Sequence, residues 1–220
     1  MMLTRRGLGL VAGAAAAGAA LTGAGCSRSS GTRAAGAAPT AGTAGEGAVN
    51  GGTLIADVIA DPLLGDYGRL LFPITMNTPG PADTLADVGG LLAWYTHVDV
   101  NATVDVVNDV LLRRRAGETV FHDIYTDAEK SADPTLEDTG LFVFPAQGAP
   151  DGGSGRVALC CAGGGFAYVA SIHDSMPHAL WLSRHGFTAF ALQYRPDPRL
   201  GCQDLARAVS HVHARAAEFG

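Results

Sequence analysis

From residue 119 onward, hydrophobic and polar positions fall into short regular blocks. "TVFHDIYT" (119–126) alternates with a period near two, as a half-buried strand does. "GLFVFPA" (140–146) follows a polar connection. "RVALCCA" (156–162) is almost wholly apolar, which predicts a central strand covered on both faces. A helix is predicted next, with Asp174 or Ser175 as cap, Pro177 in its first turn, Leu180 and Trp181 facing inward and Gly186 as its stop. "GFTAFALQYRP" is a further strand, broken by Pro196 and Pro198. In the closing stretch, 202 to 219, Cys202, Leu205, Val209, Val212, Ala216 and Phe219 recur at three- and four-residue spacing, which predicts a helix with one buried face. Three strands, a helix, a strand and a helix make an α/β fold: a mixed sheet, becoming parallel at 156–162, flanked by helices.

Upstream the pattern is weaker. From Thr53 to Leu92 prolines and glycines punctuate the chain, and only short turns are legible. A helix near 102–116 then stands out in "NATVDVVNDVLLRRRAGE". Asn101 is its expected N-cap, Val104, Val107 and Leu111 share a face, and Gly117 terminates it. Arg113, Arg114 and Arg115 fall in the last turn, where the helix dipole favours cations, so this basic run needs no partner to explain it.

The first 26 residues read as an export signal: the pair Arg5-Arg6, a Gly/Ala/Leu/Val run, then Cys26. Thr4-Arg5-Arg6-Gly7-Leu8 resembles the twin-arginine signal, with a generic secretory leader as the alternative. "LTGAGC" resembles a bacterial lipoprotein box, although Gly23 stands where such boxes usually carry Leu; the resemblance implies lipidation at Cys26. Residues 27–52 are low-complexity Ser/Gly/Ala/Thr, the composition of a flexible tether. The expected organisation is thus a signal (1–26), a linker (27–52), an N-terminal extension or cap-like segment (53–118) and an α/β region (119–220). The expected location is extracytoplasmic, either secreted or lipid-anchored to the bacterial membrane through Cys26, with no other membrane contact.

Composition narrows the chemistry. A net charge of −6 over 220 residues argues against a nucleic-acid partner. The four cysteines do not form a disulfide framework: Cys160 and Cys161 are adjacent on one strand, Cys202 opens a helix, and Cys26 belongs to the leader. Buried free thiols are expected. His97 with Asp99 and His122 with Asp123 are weak metal candidates, read as structural or exposed, and His211 and His213 face different ways on a helix. No metal or cofactor is expected.

The strongest chemical signal is Gly163-Gly164-Gly165-Phe166 after the apolar strand. Bare backbone is needed there for close approach to a ligand or for positive φ. A dinucleotide site would want G-x-G-x-x-G opening directly into a helix, which these residues do not provide. With Ala162 before it, the segment resembles the HGGG-type oxyanion loop of α/β-hydrolases of the esterase and lipase kind. The order of elements over 119–220 is similar as well.

The resemblance implies a serine esterase or lipase acting on small-molecule carboxylic esters. Backbone N–H groups of Gly164 and Gly165 would hold the oxyanion, with Gly163 and Phe166 lining the substrate site. It also implies that Ser, Asp/Glu and His follow in that order, beyond the last helix. No substitute is found upstream: Ser154 in "GGSGR" reads as a loop, and His173-Asp174-Ser175 are sequence neighbours that cannot form a triad. The expectation is an N-terminal half of such a hydrolase domain, truncated before the nucleophile strand and inactive alone, with one edge of "RVALCCA" left open. The alternatives are a non-catalytic surface-anchored binding module, and completion by a separate C-terminal half.

Overall fold

Strand alternation decides which side of the sheet each residue serves. The computed structural model describes residues 47–73, 77–92, 94–95, 97–148 and 155–219. The leader, Cys26, most of the tether and Ser154 lie outside the described residues. Among the described residues four strands form one open mixed sheet: β1 (Phe121–Asp123), β2 (Gly140–Phe144), β3 (Val157–Cys161) and β4 (Thr188–Gln193), in the order β1-β2-β4-β3. β2 is antiparallel to β1 and to β4, whereas β3 and β4 run parallel, with Val157 opposite Thr188 and Cys161 opposite Leu192. The protein is therefore mixed α/β, with helices flanking the sheet.

Phe142, Phe144, Ala189 and Ala191 point to one face and Leu141, Val143, Phe190 and Leu192 to the other. The first face carries the larger core. It packs against α1 (Ile55–Ile59), α2 (Val88–Leu91), α3 (Val100–Arg115) and α5 (Ser175–Arg184), through Ile55, Val88, Val107 and Leu180 among others. Residues 53–118, read as an extension, thus supply much of this layer. The final residues of the expected tether are docked too: Val49 exchanges hydrogen bonds with the Asn108 side chain (2.9 and 3.1 Å), and Arg115 donates to the Gly47 carbonyl (2.7 Å). α4 (Asp127–Ala132) is a short exposed helix closed by a capping box between Thr126 and Glu129. On the second face α6 (Pro198–Ala214) and α7 (Ala216–Phe219) cover a smaller cluster that includes Ala208 and Phe219.

Several expectations need correction. α3 is capped by Asp99, whose carboxylate accepts from the N–H groups of Asn101 and Ala102, so Asn101 lies inside the helix. Its arginines do more than meet a dipole: Arg113 is buried and donates to the Val143 carbonyl (2.5 Å), while Arg114 donates to the Leu63 carbonyl (2.7 Å). β3 is not covered on both faces; it is the edge of the described sheet, its middle residues half-buried and Val157 and Cys161 exposed. Cys160 is half-buried and Cys202 exposed, so the thiols are free but not buried. Trp181 is 58% exposed and stacks on His185 at 3.8 Å instead of entering the core.

The closing helix departs furthest from its pattern. It starts at Pro198, capped by Asp197, and breaks at Arg215 before α7. Gly201, Asp204 and Ala208 form the buried side, and Cys202, Leu205, Val209 and Ala216 are exposed. The physical reason is a buried polar network. Asp204 is fully buried and accepts from the Tyr125 hydroxyl (2.7 Å), the Arg195 backbone N–H (2.8 Å) and the Arg195 guanidinium (2.7 and 3.1 Å). Turning Leu205 inward would pull that carboxylate away from its donors.

Two predictions follow from this packing. Asp204→Ala leaves Arg195 without its buried partner and should cost about 3–5 kcal/mol in urea unfolding. A loss below about 1 kcal/mol would show that the network does not hold α6. The second concerns pH. Phe219 packs edge-on against Phe190 (4.9 Å) and His122 (5.4 Å), with His211 at 6.5 Å. Burial, reinforced by Arg215, holds both histidines below the ordinary value of 6.5. A depressed folded value means that neutral histidine is favoured by folding. This stability is therefore present above 6.5 and is lost as pH falls through the lower folded values. The urea midpoint should drop between about pH 7 and pH 5, and less so in His122→Gln/His211→Gln. An identical pH profile in the double variant would remove these histidines from the account.

Candidate functional site

Parallel strands deliver their ends to the same edge of the sheet. β3 and β4 finish side by side, Cys161 opposite Leu192, so the segments leaving them depart from the same edge of the sheet. Open α/β sheets hold ligands at the carboxyl ends of their strands. The segment leaving β3 is the glycine loop. Ala162 is buried, and its carbonyl is held by the Tyr194 hydroxyl (2.7 Å) from the segment leaving β4.

The loop needs its bare backbone. Gly164 has φ of 133° and Gly165 of 60°. A Cβ on Gly164 would overlap the Tyr168 carbonyl oxygen and lie 2.9 Å from its carbon, a contact that only backbone movement can relieve. Phe166 also adopts positive φ (58°); among the described residues Trp94 (70°) is the other non-glycine that does so. Both are exposed aromatics beside Gly165: Phe166 follows it directly, and Trp94 Cζ3 is 3.4 Å from the place a Cβ of Gly165 would occupy. Such backbone costs about 1–3 kcal/mol and persists only where surrounding contacts hold it. Here those are the Trp94–Tyr168 stack (5.7 Å) and the edge-on contact of Phe166 with Tyr194 (6.3 Å).

The donors follow from this turn. It is closed by Ala167 N–H to the Gly164 carbonyl (3.0 Å) and Ala170 N–H to the Gly163 carbonyl (3.2 Å). The Gly163 N–H donates to Asp174 Oδ2 (2.7 Å), so Gly163, expected to line the substrate, has no free donor. The N–H groups of Gly164, Gly165 and Phe166 meet no acceptor among the described residues. Consecutive free N–H groups in such a turn make a concave anion-binding surface. Beyond Tyr194 a cleft of about 310 Å³ opens, lined by Gln193, Arg195, Asp197 and Leu200 among others.

Side chains around the loop are held neutral or committed. Burial pushes the Tyr95 hydroxyl well above its ordinary value, with its hydrogen bond to Asp174 adding to the effect, so it stays a donor. Burial also raises Tyr194. The surroundings of the Cys161 sulfur, although the residue is exposed, push its thiol up, which is opposite to an activated thiolate nucleophile. His173 packs edge-on against Tyr95 (4.6 Å), and burial lowers it. Ser175 is buried with a hydroxyl that has no partner among the described residues, so His173-Asp174-Ser175 forms no activated nucleophile. No group of three metal-ligating side chains converges among the described residues; Asp99 caps α3, and Asp123 pairs with Lys130.

The structure thus gathers Gly163, Gly164, Gly165 and Phe166 with four residues that sequence reasoning missed as site residues: Trp94, Tyr95, Asp174 and Tyr194. Asp174 was legible only as a helix cap. It occupies that position on α5 but makes no capping bond there. Cys26 lies outside the described residues. The chain matches no protein-family model, no curated protein and no solved structure.

Gly164→Ala and Gly165→Ala separate steric need from conformational preference. The first should destabilise the chain by about 2 kcal/mol or more, since strain and backbone overlap combine. The second meets only the Trp94 ring and should cost about 1 kcal/mol. Equal costs in urea unfolding would contradict the loop geometry.

Proposed function

We propose that the glycine loop is an oxyanion-binding loop, and that the chain carries this part of an acyl-transfer site for carboxylic esters, in the manner of an exported α/β-hydrolase-like serine esterase or lipase. The observation that carries the reading is the run of N–H groups at Gly164, Gly165 and Phe166 without acceptors among the described residues. Donors fixed in place before reaction stabilise the charge that develops on the carbonyl oxygen and need no reorganisation. Trp94 and Phe166 beside Gly165 suit the apolar part of an ester.

Acyl transfer also needs a nucleophile and a base. Among the described residues no serine hydroxyl is hydrogen-bonded to a histidine; Ser183 and Ser210 donate to backbone carbonyls, and Ser171 and Ser175 are unpartnered. A complementing C-terminal half that supplies the nucleophile and base is therefore part of this reading. The same observation favours a second one, a non-catalytic surface-anchored binding module. In both readings the leader exports the chain, which is then lipid-anchored through Cys26 or secreted. No helix among the described residues is long and apolar enough to cross a membrane.

Titration of the ¹⁵N-labelled chain with methylphosphonate, a tetrahedral anion, tests the loop. The Gly164, Gly165 and Phe166 amides should shift together and saturate, with no such response in Gly164→Ala. Loop amides that stay still while others move would sink the proposal. The chain alone should hydrolyse p-nitrophenyl acetate no faster than Gly164→Ala; serine-inhibitor-sensitive turnover would overturn the need for a complementing half.

A further inference from the structure

A loop of three glycines has no side chain with which to anchor itself, and Ala162 before it has none that can hydrogen-bond. Its fixed shape must come from elsewhere. Asp174 is the group placed to provide it. Its Oδ2 accepts from the Gly163 N–H at 2.7 Å and from the Tyr95 hydroxyl at 3.0 Å, tying both ends of the connection after β3 to a residue 79 positions before Asp174. The fit is tight: a Cβ on Gly163 would lie 2.8 Å from the Tyr95 hydroxyl and 3.3 Å from Asp174 Oδ2. His178 sits on the other side of the carboxylate, its Nδ1 3.4 Å from Oδ1 and 2.6 Å from the Asp174 carbonyl.

An aspartate just before a helix normally caps it. Asp174 does not, because its backbone (φ −111°, ψ −80°) turns away from capping geometry and its side chain makes no bond to the first turn of α5. The carboxylate is committed to the loop instead. Tyr95 is the immediate neighbour of Trp94, whose ring lies against Gly165, so the same segment touches the loop at both ends.

We infer that Asp174, held by Tyr95, is a positioning residue that fixes the glycine loop in its donor-presenting shape. This rests on the oxyanion reading for its purpose, though not for its test. The carboxylate acts by accepting hydrogen bonds, and its negative charge is no help to a loop that binds anions. Asparagine keeps an acceptor oxygen and removes that charge. It should restore the function that alanine loses, with anion binding at least as tight as in the parent chain.

The experiment uses the full chain and its Asp174→Ala, Asp174→Asn and Tyr95→Phe variants. ¹⁵N relaxation of residues 163–166 reads loop order, and methylphosphonate titration reads binding. Asp174→Ala should move the Gly163 amide, increase loop motion and weaken methylphosphonate about tenfold. Asp174→Asn should restore both. Unchanged loop order and binding in Asp174→Ala overturns the assignment and leaves the oxyanion reading standing. If the parent binds no methylphosphonate, but loop order is lost in Ala and regained in Asn, the positioning role holds and the oxyanion reading fails. Should Asp174→Ala not fold, Tyr95→Phe decides: loosened 163–166 amides support the assignment, and an unchanged loop overturns it.

Discussion

The parallel pairing of β3 with β4 is the constraint on which the site depends. Parallel neighbours cannot be joined by a tight turn; the chain must cross over the sheet and return. That crossover is α5, whose Met176, Ala179 and Leu180 are buried on the larger face. It leaves residues 162–174 to turn the chain from the end of β3 into the helix, and they leave at the end where β4 also finishes. The Tyr194–Ala162 hydrogen bond then stitches the two exits together. Once the pairing is set, the glycines have one place to be.

What occupies that place is a balance between strain and packing. Trp94 and Phe166 hold left-handed backbone that their side chains disfavour. Each is offset by aromatic contact with a tyrosine, and Tyr168 is fully buried. Aromatic pairs of this kind are worth about 0.5–1.5 kcal/mol beyond their buried area, comparable to the strain they oppose. The rings themselves remain exposed, which core packing alone does not require. Strain kept beside unpartnered N–H groups is what makes this turn a candidate site.

Much of this was legible from residue pattern, for definable reasons. β2, β3, β4 and α5 were visible because their apolar runs are bounded by glycines, prolines and polar turns. The glycine loop was visible because three bare residues after a strand have few other uses. Trp94 and Tyr95 were not: Tyr95 and Asp174 are 79 positions apart, and no local pattern reports a contact of that span. α6 failed in a different way. Its buried side is Gly201, Asp204 and Ala208, which have the right spacing but not the apolar bulk that a periodicity search weighs. The three- and four-residue rhythm of Leu205 and Val209 was real, and it marks the side that the described residues leave exposed. β3 misled only in its coverage: its open edge was expected, but its apolar run reads as covered on both faces and its residues are half-buried to exposed.

The manner in which α6 is held bears on the site as well. With so little apolar surface facing the sheet, its position is set by Asp204 gripping Arg195 and Tyr125 more than by hydrophobic burial. Hydrogen-bonded charges fix geometry more narrowly than packed methyl groups, because they fail over a few tenths of an ångström and a few tens of degrees. Gly201, one turn earlier, is where α6 reaches the loop: a Cβ there would lie 3.0 Å from the Tyr194 ring, 3.3 Å from the Arg195 carbonyl and 3.5 Å from the Phe166 ring. Arg195 lies next to Tyr194, which holds Ala162. A shift of α6 would therefore reach the glycine loop by two routes, through the Phe166 wall and through the Tyr194 hydroxyl. The buried carboxylate of Asp204 and the partly exposed one of Asp174 thus bear on the same loop, one through a helix and one directly.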